Sequence, residues 1–123
     1  MVFCWTTINV QIMEKSLRFY QDIIGLSVTR KISPNPDMEI VFLGNGETQV
    51  ELIWNRKAPA ISIGNDISLG FIVDSLDKTA AMLKDKGIAI HSGPFQPNPH
   101  ITFLYVLDPN GLRIQFVENI RES

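Results

Sequence analysis

The chain has 123 residues, of which 45% are hydrophobic and 20% are charged. A chain of this length can bury roughly two thirds of its unfolded surface, so a stable core needs neither disulfides nor a metal. The net charge is −2 and no basic stripe is present, which excludes nucleic acid as an expected partner. No apolar run approaches the ~20 residues of a membrane-spanning helix. The absence of a signal-peptide pattern and the single cysteine, Cys4, predict a reducing, cytoplasmic location.

The first half of the chain is predicted to form a βαβββ module. Residues 2–10 are rich in β-branched and aromatic types, which is typical of a strand with two alternating faces. Residues 14–24 have the apolar spacing of an amphipathic helix, and Gly25 ends it. Three more strands are predicted, at 26–33, 38–43 and 48–54, with turns at 34–37 and 44–47.

The second half repeats this order after a connector at 56–66. A strand at 67–73 precedes a helix at 76–86, for which Ser75 is a suitable N-cap. The remaining strands are predicted at 88–91, 101–107 and 112–118. The proline-rich segment 92–100 is predicted to be a loop that borders a cavity.

Similar segments in the two halves indicate an internal duplication. They begin at Val10 and Val73 (73 − 10 = 63), and the helices end at Gly25 and Gly87 (87 − 25 = 62). We therefore expect one domain over 1–123, with module one at about 2–55 and module two at about 67–119. Two equivalent sheets would face each other across a cavity.

Strand alternation divides the side chains into two sets. One set is expected to face the cavity: Phe3, Trp5, Thr7, Asn9, Gln49, Glu51, Ile53, Ser68, Gly70, Ile72, Arg113, Gln115 and Val117. The other is expected to pack under the helices: Ile8, Val50, Leu52, Leu69, Phe71, Ile114 and Phe116. Cys4 alternates to the packing side, which predicts an inert, buried thiol.

The duplication, the helix EKSLRFY at 14–20 and the Asp-Pro-Asn-Gly turn at 108–111 resemble the vicinal oxygen chelate superfamily. This superfamily includes glyoxalase I, bleomycin-resistance proteins, fosfomycin-resistance enzymes and extradiol dioxygenases. The resemblance spans about residues 3–118. It implies an α+β fold of two βαβββ modules, whose curved mixed sheets surround a cavity, and a homodimer.

The resemblance also implies four metal-ligand positions, two in each module. Aligned through the repeat, they are Trp5, Glu51, Ser68 and Gln115. An indole offers only an N–H donor and cannot coordinate a metal, whereas a catalytic site ordinarily needs about three His or carboxylate ligands. We therefore expect no cofactor. Glu51 is the sole plausible residual ligand if a divalent metal does bind.

Seven residues are candidates for ligand binding: Trp5, Thr7, Asn9, Glu51, Ser68, Arg113 and Gln115. Trp5 either offers a stacking platform or fills space that a metal no longer needs. Glu51 either anchors a cationic or amine group or pairs with Arg113.

Other residues have a less definite place in the site. The register of the strand that carries Phe103 and Tyr105 is open, so either residue could line the cavity. His91 and His100 fall outside the ligand positions, and a surface location is favoured over a role as general acid or base.

The leading hypothesis is a metal-independent protein of the bleomycin-resistance type, which holds an aromatic or amphipathic small molecule between the sheets. The alternative is a divalent-metal-dependent, glyoxalase-like lyase or isomerase, or a dioxygenase-like enzyme, with unusual ligands. Because three of the four ligand positions carry unsuitable side chains, the sequence favours a binding protein over an enzyme.

Overall fold

The computed structural model describes residues 1–46 and 48–119. The chain divides into two compact units, Met1–Ser62 (unit one) and Ile63–Ser123 (unit two). The division falls inside the predicted connector 56–66. One residue of the predicted turn 44–47, Glu47, lies outside the described residues.

Unit one contains a four-stranded mixed sheet and one helical segment. Its elements are β1 Trp5–Asn9, α1 Met13–Arg18, a π-helical turn Phe19–Ile23, β2 Val28–Asn35, β3 Met38–Leu43 and β4 Gln49–Asn55. The strand order is β1-β4-β3-β2. β1 pairs in parallel with β4, and the other two pairings are antiparallel.

Unit two repeats this topology. Its elements are β5 Ser68–Ile72, α2 Leu76–Asp85, β6 Ser92–Asn98, β7 Ile101–Leu107 and β8 Arg113–Asn119, and its strand order is β5-β8-β7-β6. The parallel registers also correspond, because Trp5 pairs with Gln49 and Ser68 pairs with Arg113. The predicted α+β fold of two βαβββ modules with mixed sheets is confirmed.

The cores lie on the helix side of each sheet, where apolar side chains of alternating strand positions are removed from water. In unit one, α1 packs on β4, and the buried residues include Ile8, Met13, Phe19, Tyr20, Val41, Leu43, Val50 and Leu52. In unit two, α2 packs on β7 and β8, and the buried residues include Leu76, Leu83, Leu104, Val106, Ile114 and Phe116. Leu69 and Phe71 are only half-buried.

Two local signals in the sequence act as predicted. The Ser75 hydroxyl caps α2 by accepting a hydrogen bond from the backbone N–H of Lys78 at 3.2 Å. In the turn at 108–111, the buried carboxylate of Asp108 accepts from the backbone N–H groups of Asn110 and Leu112 at 2.8 and 2.9 Å. The turn therefore serves to fix the β7–β8 hairpin.

The predictions for 88–91 and 92–100 are wrong. Residues 88–91 form no strand, and β6 occupies most of the predicted loop. Pro94 and Pro97 are compatible with a strand there because β6 lies at the edge of its sheet, where a missing N–H breaks no ladder. The pairing with β7 is irregular on both sides of Phe95, and Gly93 has a φ of +96°.

Two further predictions are corrected. The helix predicted at 14–24 is α-helical only to Arg18 and continues as the π-helical turn. It ends before Gly25, as expected, and Gly25 has a φ of +88°. Cys4 is exposed rather than buried, because β1 begins at Trp5 and Cys4 lies just before the strand. Within 1–46 and 48–119, no helix has both the length and the hydrophobicity required to cross a bilayer.

Candidate functional site

The side of the unit one sheet that faces away from α1 carries a carboxylate. Strand alternation puts Trp5, Thr7 and Asn9 on this side, all of them exposed, while Ile8 between them is buried. Thr7 is the register partner of Glu51 on β4, and its hydroxyl donates a hydrogen bond of 2.5 Å to Glu51 Oε1. Glu51 is only 9% exposed.

Two aromatic rings flank this carboxylate. Phe42 on β3 is the antiparallel register partner of Glu51 and is buried. Trp5 packs against Phe42 edge-on, with ring centroids 5.2 Å apart, and is itself 46% exposed. We call Trp5, Thr7, Phe42 and Glu51 the acidic patch. It presents an exposed indole next to a carboxylate that is held in place by a hydroxyl donor.

Asn9 lies farther along the same side of the sheet. It is exposed and pairs in register with Ile53. Its amide is therefore two positions along β1 from Thr7 and can both donate and accept hydrogen bonds.

The residues at the four expected ligand positions do not fit a catalytic divalent metal. Trp5 has no lone pair to offer, Ser68 and Gln115 are weak neutral ligands, and a single carboxylate, Glu51, falls short of the three His or carboxylate ligands that such a metal ordinarily takes. Among residues 1–46 and 48–119, no group of three or more His, Cys, Asp and Glu side chains is arranged to hold a metal ion.

The corresponding side of the unit two sheet has a different composition. Gly70 is the register partner of Gln115, as Thr7 is of Glu51 in unit one. A Cβ at Gly70 would lie 3.3 Å from Gln115 Oε1, so the glycine leaves room for the amide. Gln115 Nε2 donates to the hydroxyl of Tyr105, its partner on β7, at 3.3 Å. A neutral amide–phenol pair therefore replaces the carboxylate.

Arg113 begins β8 on this same side of the sheet, opposite the exposed Ser68. Its guanidinium carbon lies 4.3 Å from the centroid of the Tyr105 ring, a cation–π geometry. One terminal nitrogen, Nη1, donates to the carbonyl of Asn65 at 3.5 Å. The Nε atom is buried and has no hydrogen-bond partner among residues 1–46 and 48–119.

A groove of about 790 Å³ opens beside Arg113. It is lined by His91, Ser92, Phe95, Gln96, Pro97, Phe103, Tyr105 and Arg113. The rings of Phe95, Phe103 and Tyr105 form a continuous row, with successive centroids 5.5 and 5.8 Å apart. We call this feature the aromatic groove.

The pairing of β7 with β8 shows which side of the sheet Phe103 and Tyr105 face, which the sequence leaves open. Phe103 and Tyr105 pair with Val117 and Gln115, so both rings lie on the side that carries Gln115. Phe95 is absent from the predicted site because its segment is predicted to be a loop. The sequence did contain an indication of a role for Phe95, since it is the one large apolar residue in a segment of polar, glycine and proline residues.

The two histidines are both exposed, which agrees with the surface location predicted for them. His91 borders the aromatic groove, and its backbone N–H donates to the carbonyl of Tyr105. His100 lies in the turn between β6 and β7.

Two βαβββ units with equivalent parallel registers define a duplicated, mixed-sheet α+β protein with candidate binding residues on the sheet side opposite each helix. Residues 3–116 match the family model described as the Glyoxalase/Bleomycin resistance protein/Dioxygenase superfamily. The chain belongs to this superfamily, which confirms the resemblance seen in its motifs.

Individual relatives carry different names. A probable lactoylglutathione lyase of Synechocystis is 30% identical over 123 residues, which cover 92% of this chain and 92% of the relative. The trypanothione-dependent glyoxalase I of Leishmania major is 22% identical with a TM-score of 0.82, covering 96% of this chain and 86% of that one. The antibiotic-binding protein TnmS3 of a Streptomyces species is 19% identical with a TM-score of 0.74, covering 97% and 96%. The two solved structures share the fold.

Proposed function

We propose that this protein binds an aromatic or amphipathic small molecule without a catalytic metal. The observation that carries the proposal is the exposure of Trp5, at a position where the resemblance implies a metal ligand. Its ring is 46% exposed and is held edge-on by Phe42 beside the buried Glu51 carboxylate. An exposed, oriented indole with an adjacent polar group is the usual composition of a small-molecule site.

The candidate residues divide between two kinds of contact. Trp5 supplies a stacking surface, and the Glu51 carboxylate, oriented by Thr7, accepts a hydrogen bond from an amine or hydroxyl of the ligand. The remaining candidates add polar contacts that orient the ligand: Asn9, Ser68, Arg113 and Gln115. All seven lie on the sheet side opposite the helix in their own unit.

The named structural neighbours support a binding function only through their fold. One is an antibiotic-binding protein and another is a glyoxalase I, so the same scaffold serves both kinds of protein. The donor set of this chain supports the binding function, because Glu51 is the one charged or imidazole group at the four expected ligand positions and a catalytic divalent ion ordinarily takes about three.

The alternative is a glyoxalase-type lyase that binds a divalent metal through unconventional ligands. It is favoured by the relatives, several of which are named lactoylglutathione lyase or probable lactoylglutathione lyase, three of them at 30% identity. In this alternative Glu51 is indispensable. Replacing Glu51 by Gln would then abolish both metal binding and lyase turnover.

The deciding experiment begins with the divalent-metal content of untagged protein purified without chelators. The binding proposal expects far less than one equivalent of metal per chain. A thermal-shift screen of aromatic antibiotics and metabolites should then identify a ligand, since one present at 100 times its Kd adds about 2.7 kcal/mol of stability. Stoichiometric metal together with lyase turnover would overturn the proposal.

We also propose a cytoplasmic location and a homodimer. The dimer is proposed because related proteins of this superfamily commonly assemble in pairs. Light scattering coupled to size-exclusion chromatography checks the dimer directly. A mass near twice the 13.9 kDa of one chain is expected.

A further inference from the structure

The guanidinium of Arg113 carries a positive charge that its own unit does not neutralise. Among residues 63–119, no carboxylate lies within 4.0 Å of it, and its polar contact is the Asn65 carbonyl. The other arginines that contact an acid form ordinary surface pairs, as Arg18 does with Glu14. Arg113 therefore differs from them in having an aromatic ring and a carbonyl as neighbours rather than an anion.

Partial burial makes this charge an effective anion receptor. Nε is removed from solvent and makes no hydrogen bond to any described residue, so within this part of the chain the guanidinium has lost hydration without a replacement. The Tyr105 ring covers one face, at 4.3 Å, and fixes the plane of the group. A guanidinium held in one plane keeps its charge in place, and a charged N–H donor forms a stronger hydrogen bond with a carboxylate than with a neutral oxygen.

The aromatic groove supplies the second half of a binding site. Its row of rings begins at Tyr105, directly under Arg113, and continues through Phe103 to Phe95. Phe95 is 45% exposed at the outer end of the row. A planar ring placed along this row would bury apolar area while its acidic substituent reached Arg113.

We propose that the aromatic groove of unit two binds a planar aromatic carboxylate, with the Arg113 guanidinium as the anion receptor and Phe95 and Phe103 as the ring contacts. This inference rests on the proposed small-molecule binding and names the class of ligand. An aromatic ring that carries a protonated alkylamine is disfavoured because it would bring a second positive charge to Arg113. A neutral aromatic amide would leave the guanidinium without an anion.

The test compares three probes of nearly equal shape by isothermal titration calorimetry: 1-naphthoate, 1-naphthamide and 1-naphthylmethylamine. The full-length protein is expected to bind the carboxylate at least about tenfold more tightly than the amide, since a charged hydrogen bond is worth about that much. The amine is expected to gain nothing from Arg113, so any binding of the amine beside Glu51 should be the same in Arg113→Gln as in the wild type.

Variants assign the effect to Arg113. Arg113→Gln should raise the Kd of 1-naphthoate by about tenfold or more and leave that of 1-naphthamide unchanged. The Kd of 1-naphthoate for Arg113→Lys should lie between those of the wild type and Arg113→Gln, because lysine keeps the charge and loses the planar group. Arg18→Gln, which removes the same charge from an exposed helix position, is the matched control and should bind as the wild type does.

A folding check keeps the comparison valid. Thermal unfolding is recorded for each variant, and Arg113→Lys carries the test if Arg113→Gln does not fold. Phe95→Ala, at an exposed position of an edge strand, should raise the Kd of 1-naphthoate and that of 1-naphthamide by the same factor. A loss confined to the carboxylate would contradict the assignment of the ring contact.

The outcomes separate this inference from the proposed function. If the amide binds as tightly as the carboxylate, or if Arg113→Gln binds 1-naphthoate unchanged, the carboxylate class is wrong while small-molecule binding stands. If none of the three probes binds, the carboxylate inference is overturned. The proposed function then falls only if the broader thermal-shift screen also finds no ligand.

Discussion

Thr7 and Glu51 are register partners across the parallel pair β1–β4, and the threonine hydroxyl donates a 2.5 Å hydrogen bond to the glutamate carboxylate. The equivalent partners in unit two are Gly70 and Gln115. One module thus has a carboxylate with its own donor, and the other has an amide with space beside it. The two modules keep the same backbone register while carrying different chemistry at the same positions.

Removing the Thr7 hydroxyl should destabilise the protein. In Thr7→Val the shape is retained, but the nearly buried Glu51 carboxylate loses its donor, so the free energy of unfolding should fall by about 1–3 kcal/mol. Urea denaturation measures the change. Thr6→Val, on the same strand and on its other side, is the control and should stay within about 0.5 kcal/mol of wild type. Equal effects from both variants would remove any special role for the Thr7–Glu51 contact.

Truncating Trp5 should affect binding more than folding. Because the indole is 46% exposed, Trp5→Ala should leave the fold intact and lose mainly the edge-on contact with Phe42, worth about 0.5–1.5 kcal/mol. The affinity for an aromatic ligand from the thermal-shift screen should fall by up to about tenfold. Titration calorimetry measures it, with Trp54→Phe as the control. Unchanged affinity would make Trp5 a space-filling residue.

Gly93 should not tolerate a side chain. Its φ is +96°, and an added Cβ would lie 3.1 Å from the Phe103 carbonyl oxygen and 3.2 Å from Leu104 Cα, both backbone atoms. Gly93→Ala should therefore lower the free energy of unfolding by about 1–3 kcal/mol and disturb the aromatic groove. Gly46→Ala, whose new Cβ would meet nothing within 4 Å, is the matched control. Chemical denaturation of both variants tests the difference, and similar stabilities would contradict it.

The Asp108 carboxylate should be a stability determinant and not a catalytic group. It is 5% exposed and accepts backbone hydrogen bonds from Asn110 and Leu112. Asp108→Ala should lower the free energy of unfolding by about 1–3 kcal/mol, because it leaves the buried Leu112 N–H without this acceptor. Ligand affinity per folded molecule should not change. Asp66→Ala, at an exposed bend, should be close to neutral.

Local patterns in the sequence are sufficient to predict most of the fold. The two-residue period of a strand depends only on neighbouring residues, so this period alone separates the exposed Trp5, Thr7 and Asn9 from the buried Ile8. The duplication then places Glu51 and Gln115 at equivalent positions, and the parallel registers confirm that equivalence.

The features that escape prediction depend on tertiary context. Pro94 and Pro97 argue locally against a strand, and only the position of β6 at the sheet edge makes one possible. The placement of Tyr105 depends on its pairing with Gln115, which a strand pattern alone does not determine. Cys4 is wrongly assigned to the core because the strand is predicted to begin three residues too early.

The pairing of the first strand with the last in each unit has a consequence for synthesis on the ribosome. β1 has no place in a sheet until β4 has emerged, so the nascent chain must keep Trp5–Asn9 unpaired while about 40 more residues are added. Once residue 55 has emerged, the first four-stranded sheet can close before any of β5 (Ser68–Ile72) has emerged. We therefore expect the protein to fold during translation in two successive steps, each completed by its own final strand.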